Sequence, residues 1–440
     1  MPFTLAPPPS HPSGSVPSAP AVRRLANGLT IIAEQMPIDA VNLSIWLPVG
    51  SSVESNDING MAHFLEHMIF KGTPQIRCGE FERLIEERGA ITNAATSQDY
   101  THYYITTAPK DFAQLAPLQI ELVTNASLQD DDFERERPVI LEEIRRSEDS
   151  PRRRTFHRSM QLSFDRLPYR RPVLGPATVI EQLTADQMRH FHRTWYQPQR
   201  MTAVAVGNLP VEELLEIVER GFERAAQRRQ PAIAEAAAAD NAAPEAPFTQ
   251  IQRADYSDDS LQQARLVMGW RVPGMEDLSE TYALDVAASI LGQGRTARLV
   301  SDLRERRKLV NSISVSNMTY SRQGVFSISA YLPSEHIAAV EAAIAAHIQQ
   351  LCEQPVTAAE LRRVRTQVAN RYVFGSESPS DRAGLYGYYQ TMTGDIAHAL
   401  NYPHHIRAVT PAAIQSAVRR YLPTSAYGVV TLRPSSQAEG

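Results

Sequence analysis

Residues 60–73 read GMAHFLEHMIFKGT, and the spacing inside this stretch decides how the chain is to be understood. Its apolar residues recur at helical intervals, so the segment is expected to form an α-helix. His63 and His67 are four apart and share one face, which lets both imidazoles reach a single metal ion. Glu66 lies close enough to serve a water at that metal without being a main ligand. The pattern H-x-x-E-H is the inverse of the better-known H-E-x-x-H metal helix.

Two histidines leave such a site one ligand short, because a catalytic zinc usually takes three protein ligands and keeps a fourth position for water. The acidic segment FERERPVILEEIRR, residues 133–146, is the best source of the third. Glu136 and Glu143 are seven apart and fall on nearly the same helical face. One of them binds the metal; the other hydrogen-bonds a ligand histidine and fixes its tautomer. Glu142 points about 100° away and is expected to face solvent. Pro138 is the expected site of a kink.

Outward from these two helices the order of elements gives the fold class. VRRLANGLTIIAEQ and VNLSIWLPVGS read as strands, with an Asn27-Gly28 turn signal in the first. NAATSQDYTHYYITTA reads as a strand pair and MTAVAVGN as a buried strand. Helices fall between and after them, which predicts an α+β layer of mostly antiparallel sheet against helices. The pattern then repeats. LQQARLVMGWRVPG, YALDVAASILGQG, QGVFSISAYL and AYGVVTL match strands and helices of the first half in order. The expected organisation is a Pro/Ser-rich disordered tail over residues 1–20, a metal-binding domain over 21–228, an Ala/Pro-rich linker over 229–250, a homologous domain over 251–433 and a short tail over 434–440.

Composition narrows the function. The chain has 440 residues and a formal charge of -5 with no basic stripe, which argues against nucleic-acid binding. No run approaches the roughly 18 apolar residues needed to span a bilayer. Two cysteines, Cys78 and Cys352, are too few for a disulfide framework or a thiolate metal site. The start of the chain has neither the apolar run of a secretory signal nor a transit-peptide pattern, so a cytoplasmic location is expected, or a periplasmic one if the chain is a processed form. Gly292-Gln293-Gly294 lacks a phosphate loop, and His190 and His192 point apart on their helix and read as structural.

GMAHFLEHMIFKGT, NAATSQDYTHYY, ERERPVILEEI, PYRRPVLGPATVIEQLT and GRTARLVSDLRERRKLV together resemble the pitrilysin and mitochondrial processing peptidase family of zinc metallopeptidases. The resemblance covers nearly all of the chain after the tail and is nearest to the metal-bearing subunit of a bacterial two-subunit peptidase. It implies one zinc ion held by His63, His67 and Glu143, with Glu66 as the general base and Glu136 as the carboxylate behind a ligand histidine. It also implies that Asn93, Ala94, Ala95 and Thr96 form a free strand edge that grips a peptide substrate through main-chain hydrogen bonds. The two domains would then form half of a clamshell chamber.

The second half departs from the pattern. Asp285, Ala288 and Ser289 align with His63, Glu66 and His67, so the catalytic groups are gone and the apolar face is kept. The resemblance also leads one to expect an arginine and a tyrosine seven residues apart that hold the substrate. Arg304 is present, Asn311 stands in the tyrosine's place, and Tyr320 is a substitute at the wrong spacing. A homologous partner subunit supplying the Arg/Tyr pair is therefore expected, with a homodimer as the other possibility. The competing functions are a catalytically silent scaffold and a peptide-binding subunit of the same fold.

Overall fold

The computed structural model describes residues 19–228 and 243–435. The expected first tail up to residue 18, most of the expected linker and the last five residues lie outside the described residues. The first sheet is built from β1 (Ala21–Arg24), β2 (Thr30–Gln35), β3 (Val41–Leu47), β4 (Ile91–Thr96), β5 (Thr101–Thr107) and β6 (Thr202–Gly207), in the order β1-β2-β6-β3-β5-β4. Only β2 and β6 run parallel. The second contains β7 (Gln252–Ser257), β8 (Ala264–Pro273), β9 (Ser312–Met318), β10 (Gln323–Leu332) and β11 (Gly428–Arg433), in the order β7-β11-β8-β10-β9. There only β7 and β11 are parallel. Without the β1 hairpin the two sheets have one topology, in which the last strand inserts beside a parallel first strand. The internal repeat is thus present in the strand order, and β4 and β9 are equivalent edges.

The first half carries α1 (Met61–Ile69), α2 (Glu80–Glu87), α3 (Pro109–Asn125), α4 (Asp130–Asp149), α5 (Pro151–Ser163), α6 (Ala177–Ile180), α7 (Ala185–Trp195) and α8 (Val211–Ala226). The second carries α9 (Leu278–Gly292), α10 (Ile337–Glu353), α11 (Ala358–Phe374), α12 (Pro379–Thr393), α13 (Ala397–Ala408) and α14 (Pro411–Tyr421). Pro138 lies inside α4, which continues unbroken on both sides of it.

The halves trade helices. α12 packs on β3 and β6 of the first sheet, where Gly387 lies so close to the Trp46 ring that an added Cβ would be 2.1 Å from its Nε1. Arg382 on the same helix reaches the buried Glu34 at 2.8 Å. In return α5 packs on β8 and β11 of the second sheet, and Arg271 Nε donates to the Ser163 carbonyl at 2.6 Å. Ile32, Met36, Trp46, Val204 and Val206 consequently share one core with the second half. This exchange gives each repeat a helix from the other.

Candidate active site

α1 has one face for packing and one for chemistry. Met61, Ala62, Phe64, Leu65, Met68 and Ile69 are buried, while His63, Glu66 and His67 occupy the remaining face. Phe64 stacks on Phe133 of α4 with ring centroids 4.5 Å apart. Burying a phenylalanine is worth about 1.5–3 kcal/mol. That contact is what holds α4 against α1 and turns Glu136 and Glu143 toward the histidines.

The N-terminus of α1 is held by a carboxylate with no counterpart in the sequence pattern. Glu54 is buried and accepts from the backbone N–H groups of Gly60 and Ala62 at 2.8 and 2.7 Å, and from Asn59 Nδ2 at 2.8 Å. Asn59 Nδ2 also donates to the Pro172 carbonyl at 3.0 Å, tying the same end of α1 to the 168–175 loop. Gly60 is required there: its φ is 101°, and a Cβ would approach the Leu174 carbonyl to 2.5 Å. Burial pushes the Glu54 carboxyl up to about 7 against the pull of its donors. Glu54→Ala strands two backbone N–H groups and an amide, and is expected to cost about 2–4 kcal/mol in urea unfolding. A raised folded-state value means that the stabilisation is complete below the ordinary 4.5 and is lost as pH rises through about 7. Wild-type stability relative to Glu54→Gln is therefore expected to fall between pH 5 and pH 8; a flat difference would contradict the assignment.

His63, Glu66, His67 and Glu143, four of the residues singled out from the sequence, converge. Glu143 Oε2 is 3.4 Å from His63 Nε2 and 3.7 Å from His67 Nε2, and one ligand atom from each of the three lies within 4.8 Å of the others. Two imidazoles and one carboxylate at this separation suit zinc. Burial lowers His63 to about 3, so its ring is neutral at pH 7 and has a lone pair to give. His67 Nδ1 donates to Glu136 Oε1 at 3.0 Å, which turns Nε2 toward Glu143. Glu136 in turn takes Lys71 Nζ at 2.6 Å. Burial pushes the Glu136 carboxyl up, but Lys71 and His67 hold it below its usual range. Glu142 faces outward, bonded to Arg145 and Arg146.

Glu66 accepts from the Thr96 hydroxyl at 2.5 Å, and burial raises its carboxyl above the ordinary range. Thr96 ends β4, the sheet edge, so the edge of Asn93, Ala94, Ala95 and Thr96 runs directly to the carboxylate. His63, Glu66, Ala95 and Thr96 line one cleft of about 390 Å³, whose further wall is made by α5 and residues 169–174. Arg304 is not among the residues lining that cleft. It lies on a π-helical turn, Val300–Arg306, and bonds Glu305 at 2.7 Å. Asn311 is exposed, and the Tyr320 hydroxyl points to the sulfurs of Met160 and Met318. A larger cavity of about 790 Å³ between residues 52–58 and α7 holds none of the four residues.

Comparison with known proteins bears directly on this geometry. The model described as insulinase (peptidase family M16) matches residues 29–177, and the one described as peptidase M16 inactive domain matches residues 182–368. The chain belongs to peptidase family M16. An uncharacterized zinc protease of Mycobacterium tuberculosis is 29% identical over 97% of this chain and 95% of its own length. Zinc protease PqqE of Helicobacter pylori is 26% identical over 93% and 92%. The crystal structure of a protease from Helicobacter pylori superposes with a TM-score of 0.88 at 25% identity, covering 95% of this chain and 100% of that one. His63, Glu66, His67, Glu136 and Glu143 all fall inside the segment that matches the M16 insulinase model.

The other M16 segment matches a model described as inactive, and the structure gives its emptied site a physical content. Asp285, which the sequence alignment of the two halves sets opposite His63, is half-buried and takes hydrogen bonds from Asn317 Nδ2 at 2.8 Å and Tyr402 at 3.0 Å. Burial raises its carboxyl to about 6. These bonds make this face of α9 a polar contact with β9 and α13. Among the described residues His63, His67 and Glu143 are the one group placed to hold a metal, and no helix is long and apolar enough to cross a membrane.

Proposed function

We propose that this M16 chain is a zinc endopeptidase that cuts short or unfolded peptides. The observation that carries the reading is the convergence of His63, His67 and Glu143 with Glu66 beside a free sheet edge. His63 Nε2, His67 Nε2 and a Glu143 oxygen would hold the ion. Zinc, when bound, supplies Lewis-acid chemistry beside the scissile carbonyl.

The protein's own residues do the rest. An extended peptide lies along β4, so its backbone pairs with the outward N–H and C=O groups of the edge. Only an extended segment fits that geometry, which favours unfolded substrates. Glu66 takes the proton of the attacking water and passes it to the leaving amine. Its raised carboxyl suits both transfers, and the Thr96 hydroxyl fixes the oxygen that is not moving the proton. Glu136 and Lys71 fix the tautomer of His67. Glu136→Gln or Lys71→Met is expected to weaken zinc affinity by about 10–100-fold, read by competition with a chelator, with the fold unchanged.

A second chain belongs to the proposal. Asn311 in the tyrosine's place and the engagement of Arg304 by Glu305 support a homologous subunit that supplies the Arg/Tyr pair across a shared chamber. A second copy of this chain is the competing partner. The intact zinc set speaks against a silent scaffold or a peptide-binding subunit, neither of which needs Glu66. The test is cleavage of a quenched peptide library by the purified chain, alone and mixed with a homologous partner, with and without chelator. Zinc-dependent cleavage that rises on mixing supports both parts; equal rates alone and mixed remove the partner.

A further inference from the structure

The α5 and 169–174 walls of the cleft beside the metal ligands carry arginines. Glu66 is the one carboxylate among its lining residues, whereas Arg153, His157 and Arg170 all border it. Arg153 is exposed on the first turns of α5 and makes no ion pair among the described residues. Arg170 donates to the backbone carbonyl of Asp165 and likewise has no carboxylate partner there. Arg171 is a different case, since it holds the loop by donating to the carbonyls of Ser51 and Glu54. The floor between them is apolar, made by Phe156, Met160 and Tyr169. Glu143 lies behind His63 at 3.4 Å, and Glu148 lines the neighbouring groove that shares His157 and Arg170. Arg154, one residue on, is neutralised by Asp258 and so is not available to the cleft.

Guanidinium groups at a cleft wall with no carboxylate partner are free to take one, and their fork matches a carboxylate's two oxygens. We propose that the α5 wall of this cleft is a binding site for an acidic side chain of the substrate, with Arg153 as its principal contact and Arg170 and His157 beside it. The inference rests on the reading of the cleft as a peptide site and adds the substrate class. A peptide lying on β4 passes Ala95 and Thr96 and enters the same cleft, so an Asp or Glu near the bond at Glu66 comes within the reach of α5. A Lys or Arg at that position meets like charge.

Binding tests this apart from turnover. Fluorescent peptides carrying Glu, Gln or Lys at one position, scanned along a short sequence, are titrated against the zinc-loaded Glu66→Gln protein by anisotropy. At one position Glu is expected to bind about tenfold more tightly than Lys, the scale of one charge-assisted hydrogen bond. Arg153→Gln should flatten that preference and Arg153→Glu should invert it. Arg153 is exposed, and a thermal unfolding curve checks each variant's fold. No position that discriminates charge, or a preference unchanged in Arg153→Glu, would overturn the proposal. Cleavage of the same peptides by the zinc-loaded wild type mixed with a homologous partner separates the two readings. Charge-selective binding without cleavage removes the peptidase and leaves the acidic site; cleavage without charge selection does the reverse.

Discussion

Glu66→Gln is expected to keep its zinc and its fold and to lose peptide turnover by at least about 10²–10⁴-fold. The amide matches the carboxylate in shape, and it still accepts from the Thr96 hydroxyl through its oxygen. It cannot take a proton from water. Because Glu66 is outside the group of three placed to hold the metal, removing its charge leaves His63, His67 and Glu143 intact. Zinc content by elemental analysis and turnover on a quenched peptide, measured on the same preparation, separate these two effects. A variant that lost zinc as well would place Glu66 among the ligands instead.

The second large effect is expected at the ligands themselves. Glu143→Gln or His63→Ala should remove stoichiometric zinc and abolish turnover together, since two protein ligands do not hold a catalytic zinc. Glu143 reaches both histidines through one oxygen, at 3.4 and 3.7 Å, and its side chain is more exposed than theirs. Among the described residues it makes no other hydrogen bond or ion pair, so Glu143→Gln should unfold at the wild-type temperature measured without zinc. With zinc the two should diverge, because an ion bound only by the folded protein stabilises it. Identical shifts with zinc in the two proteins would exclude Glu143 as a ligand.

The site was legible where one helix carries it. His63, Glu66 and His67 follow from spacing alone, and Glu136 and Glu143 from a seven-residue interval on the next acidic helix, although which of the two binds metal rested on resemblance. Contacts between distant segments were not legible. Lys71 is one turn beyond His67, yet nothing local says that it turns to Glu136. Glu54 is a single acidic residue in a loop, and its role appears only when Gly60 and Ala62 come back to it. α5 is polar on most faces, with only Thr155, Met160 and Ser163 buried, so hydrophobic periodicity could not find it. Ser150 as N-cap before Pro151 was the available signal. Likewise the repeat of strands could be read, but not the exchange of α5 and α12. Small residues such as Gly387 leave room for a neighbour without naming it.

The most direct test of the account is one assay on the purified, zinc-loaded chain mixed with a homologous partner: cleavage of a quenched peptide library by wild type and by Glu66→Gln side by side. The account predicts cleavage by the wild type, abolished by chelator and restored by zinc, and none above background in the variant. Equal cleavage by both, or none by the wild type at full zinc occupancy, would contradict it.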